Sequence, residues 1–417
     1  MSRSELPARA DVVVVGAGLA GLAAARHLLR HSVDTVVLEA RDAVGGRVAT
    51  AETDGFLLDR GFQVFNTSYP EARAVLDLER LDLHPFLPGA LIRRGDRLHR
   101  LADPRRLPSA LWSDIAAPVA TPRDRMRLLA LTARLMRSDG PRLTSGADVT
   151  TLEALRSAGL SEVIVERFLR PFLSGVFLEE DMQTAARFFA VVWRSFARGT
   201  ATVPARGMHA IPRQLAGHLP ANTVHTGVSV SRVTGSRVAC EAGEVRARAV
   251  VVATDPETAG SLLPGLARTP MRGVTTYYHV PDEPPTPEAL IVLDGEQRRR
   301  IANSVVLTNA APSYSLSGRP LVSTSVLGTS PPPEPAVRAE LARLYGCDTR
   351  SWDPLAVVAV PQALPALVPP AGSLRRPVRL TDGLYVAGDH RDTPSIQGAL
   401  VSGRRAAHAV LHDLGVT

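Results

Sequence analysis

At 417 residues, 45% hydrophobic and 21% charged, the chain has the apolar mass for two packed cores, and it holds no apolar run of the roughly 20 residues that cross a bilayer. Its net charge is +7, and all 48 basic residues are arginine, so Schiff-base catalysis through a lysine amine is excluded. Two cysteines, Cys240 and Cys347, are too few for a disulfide framework or a metal cluster. A reducing cytoplasm and no metal are therefore the expectation.

Val12 to Val15 are four β-branched residues in a row and predict a strand buried on both faces. Gly16, Gly18 and Gly21 then form G-x-G-x-x-G where that strand must turn into a helix. Gly16 permits the tight turn, Gly18 lets a pyrophosphate approach the backbone, and Gly21 lets the helix pack against the strand. The helix runs from Leu19 and Ala20 to about His31, and its first N–H groups and positive dipole end face the phosphates. Asp34 to Leu38 forms the second strand, with Glu39 at its end to accept the hydroxyls of an adenosine ribose. The chain continues through Ala40 and Arg41 to Gly45, Gly46 and Arg47. The two glycines bring it close to a dinucleotide, and the arginine neutralises pyrophosphate charge.

Residues 86–202 read as mostly helical. Thr121-Pro122 starts one helix, Thr150-x-x-Glu153 is a capping box opening another, and Phe168, Phe172, Val176 and Phe177 then Phe188, Phe189, Val192, Trp193 and Phe196 form stripes at helical spacing. Between Ala90 and Arg142, twelve arginines stand against five aspartates, a balance of +7 equal to that of the whole chain. Leu98, Leu101, Leu107, Leu111 and Trp112 interleave with them. The first reading of this stretch is a solvated basic face, and the second is an interfacial patch that docks on anionic lipid. Nucleic acid is not expected, because no recognised binding motif accompanies the charge.

Residues 266–374 read as an antiparallel sheet with strands at Val274–Val280, 289–293, 302–307 and 321–327. A break at 331–335, a helix at 336–344 and a proline-rich loop at 361–377 follow. A buried strand at 249–252 leads to Ala253. The last strand ends in Gly388-Asp389, and a helix runs from about Leu400 to Leu414.

Glu39 to Arg47 resembles the acid–Gly-Gly-Arg stretch of the large FAD oxidoreductase superfamily that holds monoamine oxidase, protoporphyrinogen oxidase and phytoene desaturase. Asp382 to Ala399 resembles the same family's C-terminal flavin motif, and Asp59-Arg-Gly61-Phe62-Gln63, Gly227 to Val230 and Ala249 to Pro256 extend the likeness across the chain. The resemblance implies FAD as cofactor. It places Gly61, Phe62, Gln63, Val230, Ala253, Gly388, Asp389, Gln397, Gly398 and Ala399 beside that cofactor, with the residues of the first motif. Asp389 takes the ribityl chain, and the start of the last helix faces the flavin pyrimidine.

The implied fold is α/β, with a Rossmann-like FAD-binding domain at 1–85, 203–265 and 375–417. A helical and antiparallel-sheet substrate domain is inserted at 86–202 and 266–374. Ser395 stands where amine oxidases of the family place an aromatic cage residue, and no lysine is available to hold a water at flavin N5. The expected reaction is therefore hydride removal from a C–H bond of a small hydrophobic substrate, such as a polyene or polycycle. A lysine-independent amine oxidase and a flavoprotein isomerase are the alternatives. His390 is the titratable candidate for acid–base work near the ring.

Overall fold

Four consecutive valines leave a strand no polar face, and the chain covers this one from both sides. Val12 and Val14 point toward the helices Leu19–Leu29 and Ile396–Leu414, while Val13 and Val15 share a second core with Val233, Val238 and Val245. In this computed structural model, which describes residues 6–107, 117–296, 298 and 300–416, strand Val12–Val15 is the third of six in one sheet. Strands Val224–Thr226, Thr35–Glu39, Val12–Val15, Ala249–Val252 and Leu384–Val386 run parallel, and Arg379–Thr381 adds an antiparallel edge. Three distant stretches of chain thus meet in one layer. The N- and C-terminal helices pack closely enough that a Cβ on Gly403 would lie 2.1 Å from the Ala20 carbonyl oxygen.

A second, seven-stranded sheet has the order Asp353–Pro365, Met271–Val280, Val322–Leu327, Asn303–Val306, Ile291–Asp294, Gly89–Arg94 and Arg97–Ala102. It departs from the sequence reading in three ways. First, the hairpin of 89–102 lies in a segment read as mostly helical. Its arginines at 93, 94, 97 and 100 obscure the strand pattern, but Gly95 takes φ +58° in a two-residue turn between the paired Arg94 and Arg97. Second, the sheet is mixed, because Ile291–Asp294 runs parallel to Gly89–Arg94. Third, Pro361 to Pro365 belong to a strand, not to the expected loop. That strand is the sheet edge, where a missing N–H costs no ladder bond, and Pro361 falls where its register against Met271–Val280 slips.

Helices Pro122–Arg137, Thr151–Ser157, Arg170–Phe177 and Ala186–Arg198 enclose a separate apolar core containing Leu155, Leu169, Phe177 and Phe189. Both expected N-termini are capped by boxes, Thr121 with Asp124 and Thr150 with Glu153. Leu111 and Trp112 of the basic stretch lie outside the described residues.

Candidate functional site

The three glycines of the first turn meet three different surroundings. Gly16 has φ +102°, and a Cβ there would sit 2.9 Å from the Ala253 carbonyl oxygen. A Cβ on Gly21 would lie 1.9 Å from the Gly16 oxygen, so this glycine lets the helix close on the turn. On Gly18 it would meet no protein atom within 4 Å. The open space beside Gly18 belongs to a cavity of about 940 Å³.

Glu39 closes the same turn from the neighbouring strand. Its carboxylate accepts the N–H of Ala17 at 2.7 Å and that of Arg41 at 3.0 Å, and it is 7% exposed at the cavity wall. The N–H of Gly45 bonds the Ala17 carbonyl, and a Cβ on Gly46 would come 3.5 Å from the Gly18 Cα, so the two glycine turns face each other across little space. Gly227 and Val228 donate to the carbonyls of Arg41 and Glu39, which brings Val230 to the same wall.

Arg47 reaches across the molecule to the other end of the chain. Its guanidinium grips Asp389 with two parallel hydrogen bonds of 2.8 and 2.5 Å and donates a third, of 3.1 Å, to the Ala363 carbonyl. Burial works against the Arg47 charge, but the Asp389 carboxylate outweighs it and raises the arginine's affinity for its proton. The Gln63 amide donates to the carbonyls of Arg47 and Arg60, fixing the segment from Gly61 beside that pair.

Asp59, just before this segment, is 2% exposed. Its carboxylate accepts the Thr50 hydroxyl at 2.5 Å, the Met208 N–H at 2.9 Å and the Tyr314 hydroxyl at 2.8 Å, while its carbonyl accepts the Tyr278 hydroxyl at 2.6 Å. Burial pushes its carboxyl up to about 6 despite those bonds. No local signal in the Asp59–Gln63 motif assigns Asp59 a role, because its partners come from distant segments.

The cavity wall brings together Gly16, Gly18, Leu19, Ala20, Glu39, Ala40, Arg41, Gly45, Gly46, Arg47, Gly61, Phe62, Gln63, Val230, Ala253, Gly388, Asp389, Gln397 and Ala399. It leaves out Gly21 and Gly398, whose small size serves packing. A Cβ on Gly398 would lie 1.8 Å from the Thr393 carbonyl oxygen, and its N–H is taken by the Ser395 hydroxyl. This cap starts the last helix at Ile396, one turn earlier than its apolar run suggests. The Gln397 side chain meanwhile accepts the Glu71 N–H.

His390 is not on the wall. Its ring is 4% exposed and neither nitrogen has a hydrogen-bond partner among the described residues. Burial, with Arg391, Arg47 and Arg376 nearby, lowers its pKa to about 4 in spite of Asp389. It is a neutral packed ring at ordinary pH.

Beyond the glycine turns the cavity continues into a chamber walled by Leu128, Phe168, Phe172, Val176, Val192, Trp193 and Phe196. Val360, Ala363 and Leu364 of the edge strand and Leu87 to Ala90 of the hairpin connection complete it. No local motif marked these last residues, since only tertiary packing brings them to the wall. Phe168 and Phe172 are stacked at 5.8 Å, and Phe172 meets Trp193 edge-on at 6.2 Å.

The sequence profile described as flavin containing amine oxidoreductase matches residues 19–411, nearly the whole chain. The chain belongs to this family. Phytoene dehydrogenase of Streptomyces griseus is 28% identical over 356 residues, covering 77% of this chain and 68% of that protein. Chloroplastic protoporphyrinogen oxidase of Nicotiana tabacum is 27% identical over 194 residues, 45% of this chain, and the match spans about a third, 33%, of that relative. Putrescine oxidase of Kocuria rosea is 47% identical over 74 residues, 18% of this chain and 16% of that protein. Two solved structures share the fold. An oxidoreductase from Methanosarcina mazei has a TM-score of 0.74 at 16% identity, covering 95% of this chain and 99% of that one. Cyclohexylamine oxidase from Brevibacterium oxydans has a TM-score of 0.73 at 18% identity, covering 98% and 100%.

As a flavin-containing amine oxidoreductase the protein is an FAD-dependent enzyme, and its residues fit that cofactor. Open space stands beside Gly18 at a helix N-terminus, and each Glu39 oxygen keeps a lone pair beyond its backbone bond. A volume of about 940 Å³ lies at the upper end of the usual range for a ligand site, about 300–1,000 Å³.

Proposed function

We propose that the enzyme takes a hydride from a C–H bond of a bulky hydrophobic substrate, a polyene or a polycycle. The observation that carries this reading is the continuity of one cavity, from the glycine turns past Phe62 and Gln63 into the aromatic and aliphatic chamber. Bound FAD supplies the two-electron acceptor; the protein supplies orientation and exclusion of water. Most of the chamber wall is apolar, so affinity there comes mainly from area and shape, with the unpartnered Asn303 Oδ1 a polar exception on the wall. Gln63 is held by two backbone carbonyls and Phe62 packs edge-on against Phe86, so the segment that faces both cofactor and substrate is rigid before either binds. The coverage of the Streptomyces phytoene dehydrogenase, 77% of this chain, points the same way.

An amine substrate fits less well. The carboxylates on the cavity wall are Glu39, Asp255 and Asp389 near the glycine turns and Asp103 at the far rim. Asp103 is already paired with Arg105, which leaves an ammonium group no free carboxylate in the chamber. Anaerobic mixing with apolar polyenes or polycycles, and separately with simple amines, tests the proposal. Bleaching of the oxidised flavin band by the apolar compounds is expected. Bleaching by amines alone would defeat it, and product formation with the band unchanged would mark an isomerase instead.

A further inference from the structure

Six large apolar side chains are exposed among the described residues, and three gather at the rim of the cavity. Met126 is 66% exposed, Leu129 43% and Leu87 40%; Leu87 and Leu129 also line the cavity. Met126 and Leu129 lie three residues apart on the helix Pro122–Arg137, whose exposed positions Arg123, Met126, Ala130, Arg134 and Arg137 recur every three or four residues. Arg105 and Arg106 stand at the same rim. Arg105 contacts the Met136 sulfur of this helix, and Arg106 donates to the Gly199 carbonyl at 2.7 Å.

Two nearby acids cancel only part of this charge. Asp103 neutralises Arg105, and Asp124 is buried, holding Thr121 and Ser161, so Arg106 and the helix arginines Arg123, Arg134 and Arg137 carry the positive face. A solvated basic face accounts for arginines, but it gives no reason for Met126 and Leu129 to face water beside an apolar chamber. Single exposed apolar residues need no explanation; a group of them ringed by cations at a cavity mouth does. Nucleic acid would use the arginines and leave the apolar side chains idle.

We propose that this rim docks on an anionic lipid surface. Met126, Leu129 and Leu87 enter the boundary between headgroups and acyl chains, the arginines meet the phosphates, and the chamber opens onto the bilayer. The purpose of such docking rests on the hydrophobic-substrate reading above, but its test does not, because sedimentation with vesicles is read without turnover.

The FAD-loaded full chain is spun with vesicles of phosphatidylcholine alone and of phosphatidylcholine mixed with phosphatidylglycerol. It should pellet with the anionic vesicles, far less with the neutral ones, and be released by salt. Arg123→Gln with Arg134→Gln should lower the partition about thirtyfold at low salt, at about 1 kcal/mol for each arginine near the surface. Met126→Gln should weaken it at every salt concentration. These three side chains lie outside the cavity wall, and retained flavin absorbance in each variant confirms folding. Failure to pellet with anionic vesicles overturns the proposal. So does binding that Met126→Gln leaves unchanged, or that is equally strong on a lipid-free polyanion such as heparin, either of which marks a bare electrostatic patch.

Discussion

Adding one methyl group to each of two glycines three residues apart, Gly18 and Gly21, should separate cofactor binding from folding. In Gly21→Ala the new Cβ falls 1.9 Å from the Gly16 carbonyl oxygen and 3.1 Å from its carbon. Both are backbone atoms, so the helix Leu19–Leu29 must move away from the turn by about an ångström. Overpacking of this kind costs about 1–3 kcal/mol and occasionally more. In Gly18→Ala the Cβ meets no protein atom, and Gly18 has φ −71° and ψ 177°, a conformation open to alanine. Its loss as an N-cap is partly offset by the lower entropy of the unfolded chain, so the apoprotein should be nearly as stable as the parent. The methyl instead occupies the space where a pyrophosphate approaches the helix N-terminus. Loss of one charge-assisted hydrogen bond there, worth about 1.5–3 kcal/mol, raises the Kd for FAD at least about tenfold. Thermal melts of both apoproteins and titrations of FAD fluorescence measure the two effects. If Gly18→Ala binds FAD like the parent, or destabilises the apoprotein as much as Gly21→Ala does, the assignment of the phosphate site to this turn is wrong.

Glu39→Ala should weaken FAD binding by about 1.5–3 kcal/mol, and Glu39→Gln by less, because the amide keeps one acceptor oxygen; equal occupancy of all three proteins after dialysis would place the ribose elsewhere. Asp59 sets a pH dependence of opposite sign to the usual carboxylate. Its folded pKa of about 6 lies above its ordinary value of 3.8, so its contribution to stability is fully present below that ordinary value and is lost as pH rises through about 6. Relative to Asp59→Asn, the parent apoprotein should therefore gain stability of about 2 kcal/mol between pH 7 and pH 4. Urea unfolding of both proteins across that range reads the difference, and a flat or inverted curve would show that the carboxyl is not buried as described.

The cofactor half is legible in the sequence because its chemistry is local. Gly16, Gly18 and Gly21 are set by one turn, and Glu39 lies one helix and one strand further on. A run such as Val12 to Val15 identifies the central strand without reference to anything distant. The rest depends on contacts far apart in the chain. The hairpin of 89–102 finds its place only by pairing with Ile291–Asp294, some 200 residues later, and Pro361 is allowed in a strand only because that strand is the sheet edge. His390 illustrates the limit from the other side. Its position next to Asp389 suggested proton transfer, yet one residue of backbone turns its ring off the cavity wall and into a buried site where the neutral form prevails.

Beside the apolar core that holds Phe56 and Met208 together with Tyr278 and Tyr314, polar contacts converge on one short segment. Asp59 is held by Tyr278 and Tyr314 on one side and by Thr50 and Met208 on the other, while Gln63 is tied to the Arg47 backbone and Arg47 to Asp389. Gly61 and Phe62 lie between these anchors. Each contact alone contributes about 1 kcal/mol, more where a charge takes part. Their placement matters more than their sum, because the backbone of Gly61 to Gln63, on the cavity wall, is gripped at both ends. An apolar chamber orients its ligand by shape alone, without directional bonds. On the proposed reading the enzyme needs rigidity at the cofactor end of the cavity, and the bonds of Asp59, Gln63 and Arg47 supply it there.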